Sequence, residues 1–354
     1  MERNPRIYVA GHRGMVGSAI RRGLIEKGYA PPITRDRADL DLTRQAAVEA
    51  FFDEIRPDYV FLAAAKVGGI WANATRPAEF IHANLAIQTH VIHAAHRAGV
   101  KRLIFLGSSC IYPKHAPQPL CEEHLLTGPL EPTNSAYAVA KIAGIEMCSA
   151  YARQYGDRYL PVMPTNLYGP EDSFDLEDSH VLPALIRKCH LARLAAAGDW
   201  EAIGRDEARF GPIPDDFRAA CLSISKDRGV DHPPIPPDTE LPPPALLLWG
   251  TGTPRREFLH VDDLADACIH LMETHDGTDL VNIGTGKDIT IRELAETVKE
   301  VVGFDGGVIF DPARPDGTPR KLLDVSRLAD LGWRASIGLT EGIRRTYAWY
   351  RDRG

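Results

Sequence analysis

A chain of 354 residues with 44% hydrophobic and 25% charged side chains has the balance of a folded α/β protein rather than a disordered one. Its formal charge of −7 supplies no basic face for nucleic acid, so any phosphate-bearing ligand must be held locally. The six cysteines, at 110, 121, 148, 189, 221 and 268, form no C-x-x-C pair and no metal-ligand spacing, which argues against a metal site and against a disulfide framework.

No apolar run approaches the ~20 residues needed to span a bilayer, and residues 1–10 lead into a strand without a signal-type apolar segment. No membrane partner and a cytoplasmic location are expected.

From Arg6 to Pro164 short apolar runs alternate with longer periodic segments, the pattern of a doubly wound parallel sheet with helices on both faces. Residues 6–10, 59–63, 102–107 and 159–164 read as strands, and 32–34 as a weaker second strand. Phe80, Ala83, Ile87, Val91 and Ala94 recur at helical spacing, which predicts a helix over 79–98 with that face buried. After Pro170 comes a helix over 179–197. The stretch from about Trp200 to Pro244 then holds Pro212, Pro214, Pro233, Pro234, Pro236, Pro237 and the run 242–244, and proline this dense excludes regular helix or central strand there. Patterning resumes with a strand over 245–249, a helix over 261–273, a strand over 279–282, a helix over 290–302 and a last helix over 340–353. No internal repeat is visible.

The first strand runs into Gly11, Gly14 and Gly17, a G-x-x-G-x-x-G spacing between strand and helix. Gly11 suits the tight turn, Gly14 a close backbone approach to a pyrophosphate, and Gly17 close packing of helix on strand, while the helix N-terminus favours negative charge. A glycine-rich turn without a ligand is the competing reading. An NAD site calls for a carboxylate about 20 residues further on. Here Arg35 and Arg37 flank Asp36, and Arg13 sits in the loop itself. Guanidinium groups suit a 2′-phosphate, so NADP is expected over NAD; solvated loop charges are the bland alternative.

Tyr137 and Lys141 stand four apart on a helix predicted over 137–155, and so on one face. An ammonium beside the phenol is expected to lower the tyrosine pKa and ready it for proton exchange with a carbonyl oxygen. Ser108 lies just past the strand over 102–107, where doubly wound sheets bind ligands, and can hydrogen-bond the same oxygen. Glycine loop, strand-end serine and Tyr-x-x-x-Lys pair, in this order, form a joint signal.

With these features the chain resembles the extended short-chain dehydrogenase/reductase family. Five runs point to its GDP-L-fucose-forming branch: Ala-Gly-His-Arg-Gly-Met-Val-Gly-Ser at 10–18, Ala-Ala-Ala-Lys-Val-Gly-Gly-Ile at 63–70, Leu-Gly-Ser-Ser-Cys-Ile-Tyr-Pro at 106–113, Pro-Thr-Asn-Leu-Tyr-Gly-Pro at 164–170, and Trp-Gly-Thr-Gly-Thr-Pro-Arg-Arg-Glu-Phe-Leu-His at 249–260. The resemblance implies an α/β fold with an NADP-binding Rossmann domain over 1–170. A smaller C-terminal α/β substrate lobe would span 171–354, with 200–244 as a proline-rich insertion and part of 255–285 returning to the first domain. It implies epimerisation of GDP-4-keto-6-deoxy-D-mannose at C3 and C5 followed by reduction of C4 with NADPH, in a homodimer whose face is helices 79–98 and 137–155.

By the same resemblance Ser108, Cys110, Tyr137, Lys141 and His180 are catalytic, with Cys110 the base and His180 the acid of epimerisation. On their own, Cys110 reads as a small buried residue and His180 as a polar group at a helix start. The implied cofactor shell is Gly11, His12, Arg13, Gly14, Met15, Val16 and Gly17, then Arg35, Arg37, Asp41, Leu42, Ala63, Ala64, Leu106, Gly107, Ser108, Lys141, Pro164, Asn166, Leu167 and His180. Lys188, Trp249, Arg256, Asp316 and Lys321 are implied for the GDP-sugar, an indole to stack and an arginine to clamp diphosphate. A buried strand aromatic is the alternative for Trp249. Two features depart from the pattern: the long insertion, expected to be passive, and Lys188, where arginine is more typical. Rival readings are a reductase or epimerase-reductase of a related GDP-4-keto sugar, such as a 6-deoxy-heptose or a 3,6-dideoxy sugar, and a non-catalytic NADP-binding sensor. The presence of Ser108, Tyr137 and Lys141 together argues against the sensor.

Overall fold

The computed structural model describes residues 1, 4–235, 241–313 and 316–352. In chain order the elements are β1 (Ile7–Ala10), α1 (Met15–Glu26), α2 (Gln45–Ile55), β2 (Tyr59–Leu62), α3 (Ile70–Thr75), α4 (Pro77–Arg97), β3 (Arg102–Leu106), α5 (Ser135–Tyr155), β4 (Tyr159–Pro164) and β5 (Asn166–Tyr168). There follow α6 (Val181–Ala196), α7 (Trp200–Phe210), α8 (Asp215–Arg228), β6 (Ala245–Trp249), β7 (Arg255–His260), α9 (Val261–Thr274) and β8 (Val281–Ile283). The chain ends with β9 (Asp288–Thr290), α10 (Ile291–Val302), β10 (Gly307–Asp311), β11 (Arg320–Lys321), α11 (Ser326–Asp330) and α12 (Leu339–Asp352). It divides into two compact units, one of residues 1–171, 257–287 and 321–337, the other of 172–256, 288–320 and 338–354.

The first unit is built on a five-stranded parallel sheet in the order β1-β2-β3-β4-β8. Because side chains alternate across a strand, each apolar run feeds both faces. Ile7, Val9, Phe61, Ile104 and Val162 pack with α1 and α9 on one side, while Tyr8, Val60, Leu62, Phe105 and Met163 pack with α2, α4 and α5 on the other. Each such side chain withdrawn from water contributes about 1.5–3 kcal/mol before the entropy of ordering is counted. Residues 32–34 give only a single parallel bridge, Ile33 to Tyr8, rather than a strand. Pro31 and Pro32 offer no N–H to a ladder, so pairing is confined to Ile33. After Ile33 the chain crosses to the other side of β1 and forms β2, so the sheet order reverses beside the glycine loop, where doubly wound sheets open a ligand crevice.

The second unit pairs β6 with β10 in parallel, from Ala245 opposite Gly307 to Trp249 opposite Asp311. The proline-rich stretch departs from expectation, for α7 and α8 occupy most of it and only 236–240 lie outside the described residues. The prolines fall between and after the helices: Pro214 is the N-cap of α8, and Asp199 caps α7 by accepting from the Ala202 N–H at 3.0 Å. Arg187 of α6, fully buried, pairs with Asp206 of α7 at 2.8 Å and donates to the carbonyls of Phe174, Phe210 and Gly211. Tyr350 of α12 also donates to Asp206. The last helix was expected to run to Arg353, which lies outside the described residues. Among the described residues no helix is long and apolar enough to cross a membrane.

Candidate active site

At the end of β1 the backbone of Gly11 takes φ +84°, a conformation that disfavours side chains, and a Cβ there would come within 2.8 Å of the Ala64 backbone. A Cβ on Gly17 would overlap the Gly11 carbonyl, so this glycine is required for α1 to sit on the loop. Gly14 differs: a Cβ there would meet nothing closer than the Gly11 oxygen at 3.6 Å. Gly14 is also the N-cap of α1, with no side-chain cap and no acidic residue in the first turn. The loop thus leaves a helix N-terminus open to an anion, and the residues present fit a dinucleotide pyrophosphate.

The positions expected around the adenosine are occupied unevenly. Arg13 pairs with Asp36, and His12 Nε2 lies 3.2 Å from the same carboxylate. Arg35 donates to the Thr34 carbonyl at 2.9 Å and stands over the Phe51 ring, while Arg37 is exposed. Asp41 accepts from the Thr43 N–H and hydroxyl, which holds its carboxyl below the usual range. The carbonyl of its neighbour Leu42 lies 3.2 Å from His90 Nδ1. Ala63 and Ala64 follow β2, with the Ala63 N–H bonded to the Ala10 carbonyl at 3.1 Å.

The chemical groups gather at the carboxyl end of β3. Gly107 has room for no side chain, because a Cβ would overlap the Met163 thioether. Ser108 caps the short turn that follows, its Oγ accepting from the Cys110 N–H at 3.5 Å. Lys141 of α5 is buried, donates to the Leu106 carbonyl at 2.7 Å and stands 5.8 Å from the Tyr137 ring centre. Burial lowers its pKa to about 8. Tyr137 packs edge-on against Phe80 at 6.4 Å. Its phenol is pushed up, first by burial and then by Cys110, the reverse of the lowering expected from the lysine. The ammonium is turned to a main-chain carbonyl, and desolvation of the phenol outweighs it. Burial also raises the Cys110 thiol, opposed by Lys321, the Ser108 hydroxyl and Lys141. Further along, Pro164 ends β4, and Asn166 and Leu167 lie in β5, the Asn166 amide donating to the Glu257 carbonyl at 2.7 Å.

In the second unit His180 is the exposed N-cap of α6. Lys188 lies two turns along that helix, 5.7 Å from the Phe217 ring. Trp249 is 62% exposed, which overturns the buried-aromatic alternative. Arg256 is desolvated and feels the charge of Asp316, whose carboxylate accepts from the Thr251 N–H at 2.9 Å and hydroxyl at 2.7 Å. Two acids escaped the sequence reading, Glu257, which is fully buried, and Asp172, which is partly buried. Glu257, in the run 249–260, accepts from the N–H groups of Thr285, Gly286 and Leu323 at 2.6, 2.7 and 2.9 Å. Asp172, just past the run 164–170, has its pKa raised by burial to about 7.

The profile of the NAD dependent epimerase/dehydratase family matches residues 7–209 and 239–284. The chain belongs to this family. Within the family it is 52% identical to GDP-L-fucose synthase 1 of Arabidopsis thaliana over 349 residues, 99% of this chain and 94% of the relative. It is 49% identical to the GDP-L-fucose synthase of Escherichia coli (strain K12) over 356 residues, covering 98% of this chain and 97% of the relative. Among solved structures, MlghC, a GDP-mannoheptose C4 reductase from Campylobacter jejuni with NADP bound, superposes with a TM-score of 0.82 at 38% identity, over 99% of both chains. The expected Rossmann fold and extended short-chain dehydrogenase/reductase character are borne out.

Proposed function

We propose that this chain carries out the GDP-L-fucose synthase reaction, epimerising GDP-4-keto-6-deoxy-D-mannose at C3 and C5 and then reducing its C4 ketone. The observation that carries this reading is the grouping of Ser108, Cys110, Tyr137 and Lys141 at the end of β3 and on α5, in a chain half identical to curated GDP-L-fucose synthases.

Ser108 and Tyr137 hydrogen-bond the C4 oxygen. A proton α to that ketone is acidic because its loss gives an enolate, whose charge these two hydroxyls stabilise. Cys110 removes the proton, helped by the positive charges of Lys321 and Lys141, which favour its thiolate. His180 returns a proton on the other side of the ring. NADPH, when bound, supplies the hydride for C4, and Tyr137 delivers the proton to the oxygen. The coenzyme is held by the loop Gly11–Gly17, with Arg13, Arg35 and Arg37 favouring the 2′-phosphate; the NADP in MlghC supports this choice. Lys188, Trp249, Arg256, Asp316 and Lys321 hold the GDP-sugar. A homodimer formed on α4 and α5, where Val139 and Tyr155 are exposed, and a reducing cytoplasm that suits six free cysteines complete the reading.

Incubation with GDP-4-keto-6-deoxy-D-mannose and NADPH, with the product identified by NMR, tests the proposal. GDP-L-fucose is expected. The likeness to MlghC favours one second reading, C4 reduction of a GDP-linked heptose, and turnover of that keto sugar alone would establish it. No NADPH oxidation with any GDP-4-keto sugar would favour the sensor.

A further inference from the structure

The family match stops at residue 209 and resumes at 239, so α8 (Asp215–Arg228) lies wholly in chain that the family profile does not contain. This helix is firmly docked. Phe217, Ala220, Cys221 and Ile224 are buried, Ser225 donates to the Ala195 carbonyl of α6 at 2.7 Å, and Arg228 pairs with Asp305 at 2.7 Å.

Two consecutive residues of α6 are engaged by α7 and α8. Arg187 is spent on α7 and the carbonyls beyond it, and Lys188 faces α8. Neighbours in sequence point about 100° apart on a helix, so α7 and α8 embrace α6 on two sides. The Lys188 ammonium stands 5.7 Å from the Phe217 ring centre, within range of the attraction between a cation and an aromatic face. The Asp216 carboxylate, one residue earlier on α8, raises its proton affinity against the burial that lowers it. A flexible lysine stem loses much freedom when its end is fixed, and the Phe217 ring supplies that fixing in advance of any ligand, with the Asp216 charge adding attraction from beyond ion-pair distance.

We propose that α8 is a substrate-positioning element, in which the Phe217 ring, aided by the negative charge of Asp216, holds the Lys188 ammonium in place to receive the diphosphate of the nucleotide sugar. The proposal rests on the reading above for Lys188 and replaces the passive role expected of the insertion. Neither Phe217 nor Asp216 touches the reacting atoms; both act through Lys188.

The test is a double-mutant cycle read by calorimetric binding of GDP and by steady-state kinetics on the full-length protein. Phe217→Leu keeps the buried apolar volume without the ring, and Asp216→Asn removes an exposed charge. Lys188→Met is expected to weaken GDP binding and raise the sugar-nucleotide KM about tenfold, with kcat and NADPH affinity little changed, the pattern of lost uniform binding. Phe217→Leu and Asp216→Asn are each expected to weaken both about threefold or more, and neither to add to Lys188→Met in the double variants. A merely structural α8 would instead lower the thermal midpoint and give additive losses. Additive effects, or unchanged GDP affinity in Phe217→Leu and Asp216→Asn, would overturn the proposal. Wild-type protein that binds GDP through Lys188 yet turns over no keto sugar would sink the catalytic reading and leave this one standing.

Discussion

The Lys141 ammonium donates a 2.7 Å hydrogen bond to the carbonyl of Leu106, the last residue of β3. That bond ties the helix carrying Tyr137 to the strand end carrying Ser108, so the two hydroxyls assigned to the substrate oxygen are positioned together. Lys141 has to keep its charge in buried surroundings that reduce its proton affinity. With a pKa of about 8, it is protonated at neutral pH and loses the proton just above. NADPH oxidation is therefore expected to fall on an alkaline limb near pH 8. In Lys141→Met the limb should vanish together with activity, by about 10²-fold or more. A pH–rate profile of both proteins checks this.

The three loop glycines are expected to separate by experiment. Gly14→Ala places a methyl group where only the Gly11 oxygen stands at 3.6 Å, so the protein should fold with an unchanged thermal midpoint but bind NADPH at least about tenfold more weakly. Gly17→Ala overlaps the Gly11 backbone and should lower the midpoint itself. Fluorescence titration with NADPH beside thermal unfolding distinguishes the two.

The half-reactions should part at Cys110 and Tyr137. Cys110→Ser is expected to bind NADPH normally while losing most solvent-deuterium incorporation at C3 and C5, since a hydroxyl is a far weaker base than a thiolate. Tyr137→Phe should chiefly cripple hydride transfer. Exchange in Cys110→Ser as fast as in wild type would remove the cysteine from its role.

For the coenzyme, the double variant Arg35→Ser, Arg37→Ser should cut the preference for NADPH over NADH by about tenfold or more, as charge-assisted contacts to the 2′-phosphate disappear. Arg13 is already paired with Asp36, so its replacement should matter less. Dissociation constants for both coenzymes decide the point.

Asp172 should report on stability. Its carboxyl accepts from the Ser173 N–H at 2.8 Å, but burial raises its pKa from 3.8 to about 7. Across that window the folded chain holds a proton that the unfolded chain has released, so this group's contribution to stability falls as pH rises. Asp172→Asn should accordingly be more stable than wild type above pH 7, by on the order of 2 kcal/mol, and indistinguishable near pH 3. Denaturant unfolding at both ends of the range measures it.

Much of the nucleotide-binding unit was legible because strand alternation is a local signal. Val9 and Phe61 face one layer, Tyr8 and Val60 the other, and the apolar runs announce this without knowledge of their partners. The helices of the insertion are not visible in the proline content of 200–244 taken as a whole, because Pro212 and Pro214 fall between them and the remaining prolines follow them in the chain. Local marks were present, in Asp199 as an N-cap and in Gly211 and Gly229 as C-caps. The proton affinity of Tyr137 was not legible, since the spacing that places Lys141 on the same face says nothing of which acceptor its ammonium takes. Glu257 was equally silent, because its donors lie 28, 29 and 66 residues away along the chain.

Glu257 opens the second stretch of chain in the nucleotide-binding unit, Thr285 and Gly286 lie near the close of that stretch, and Leu323 lies near the opening of the third. One carboxyl group therefore knots the places where a twice-interrupted domain is stitched together. On a ribosome, the amino-terminal sheet would wait, its last seam untied, until the segment around Leu323 had emerged.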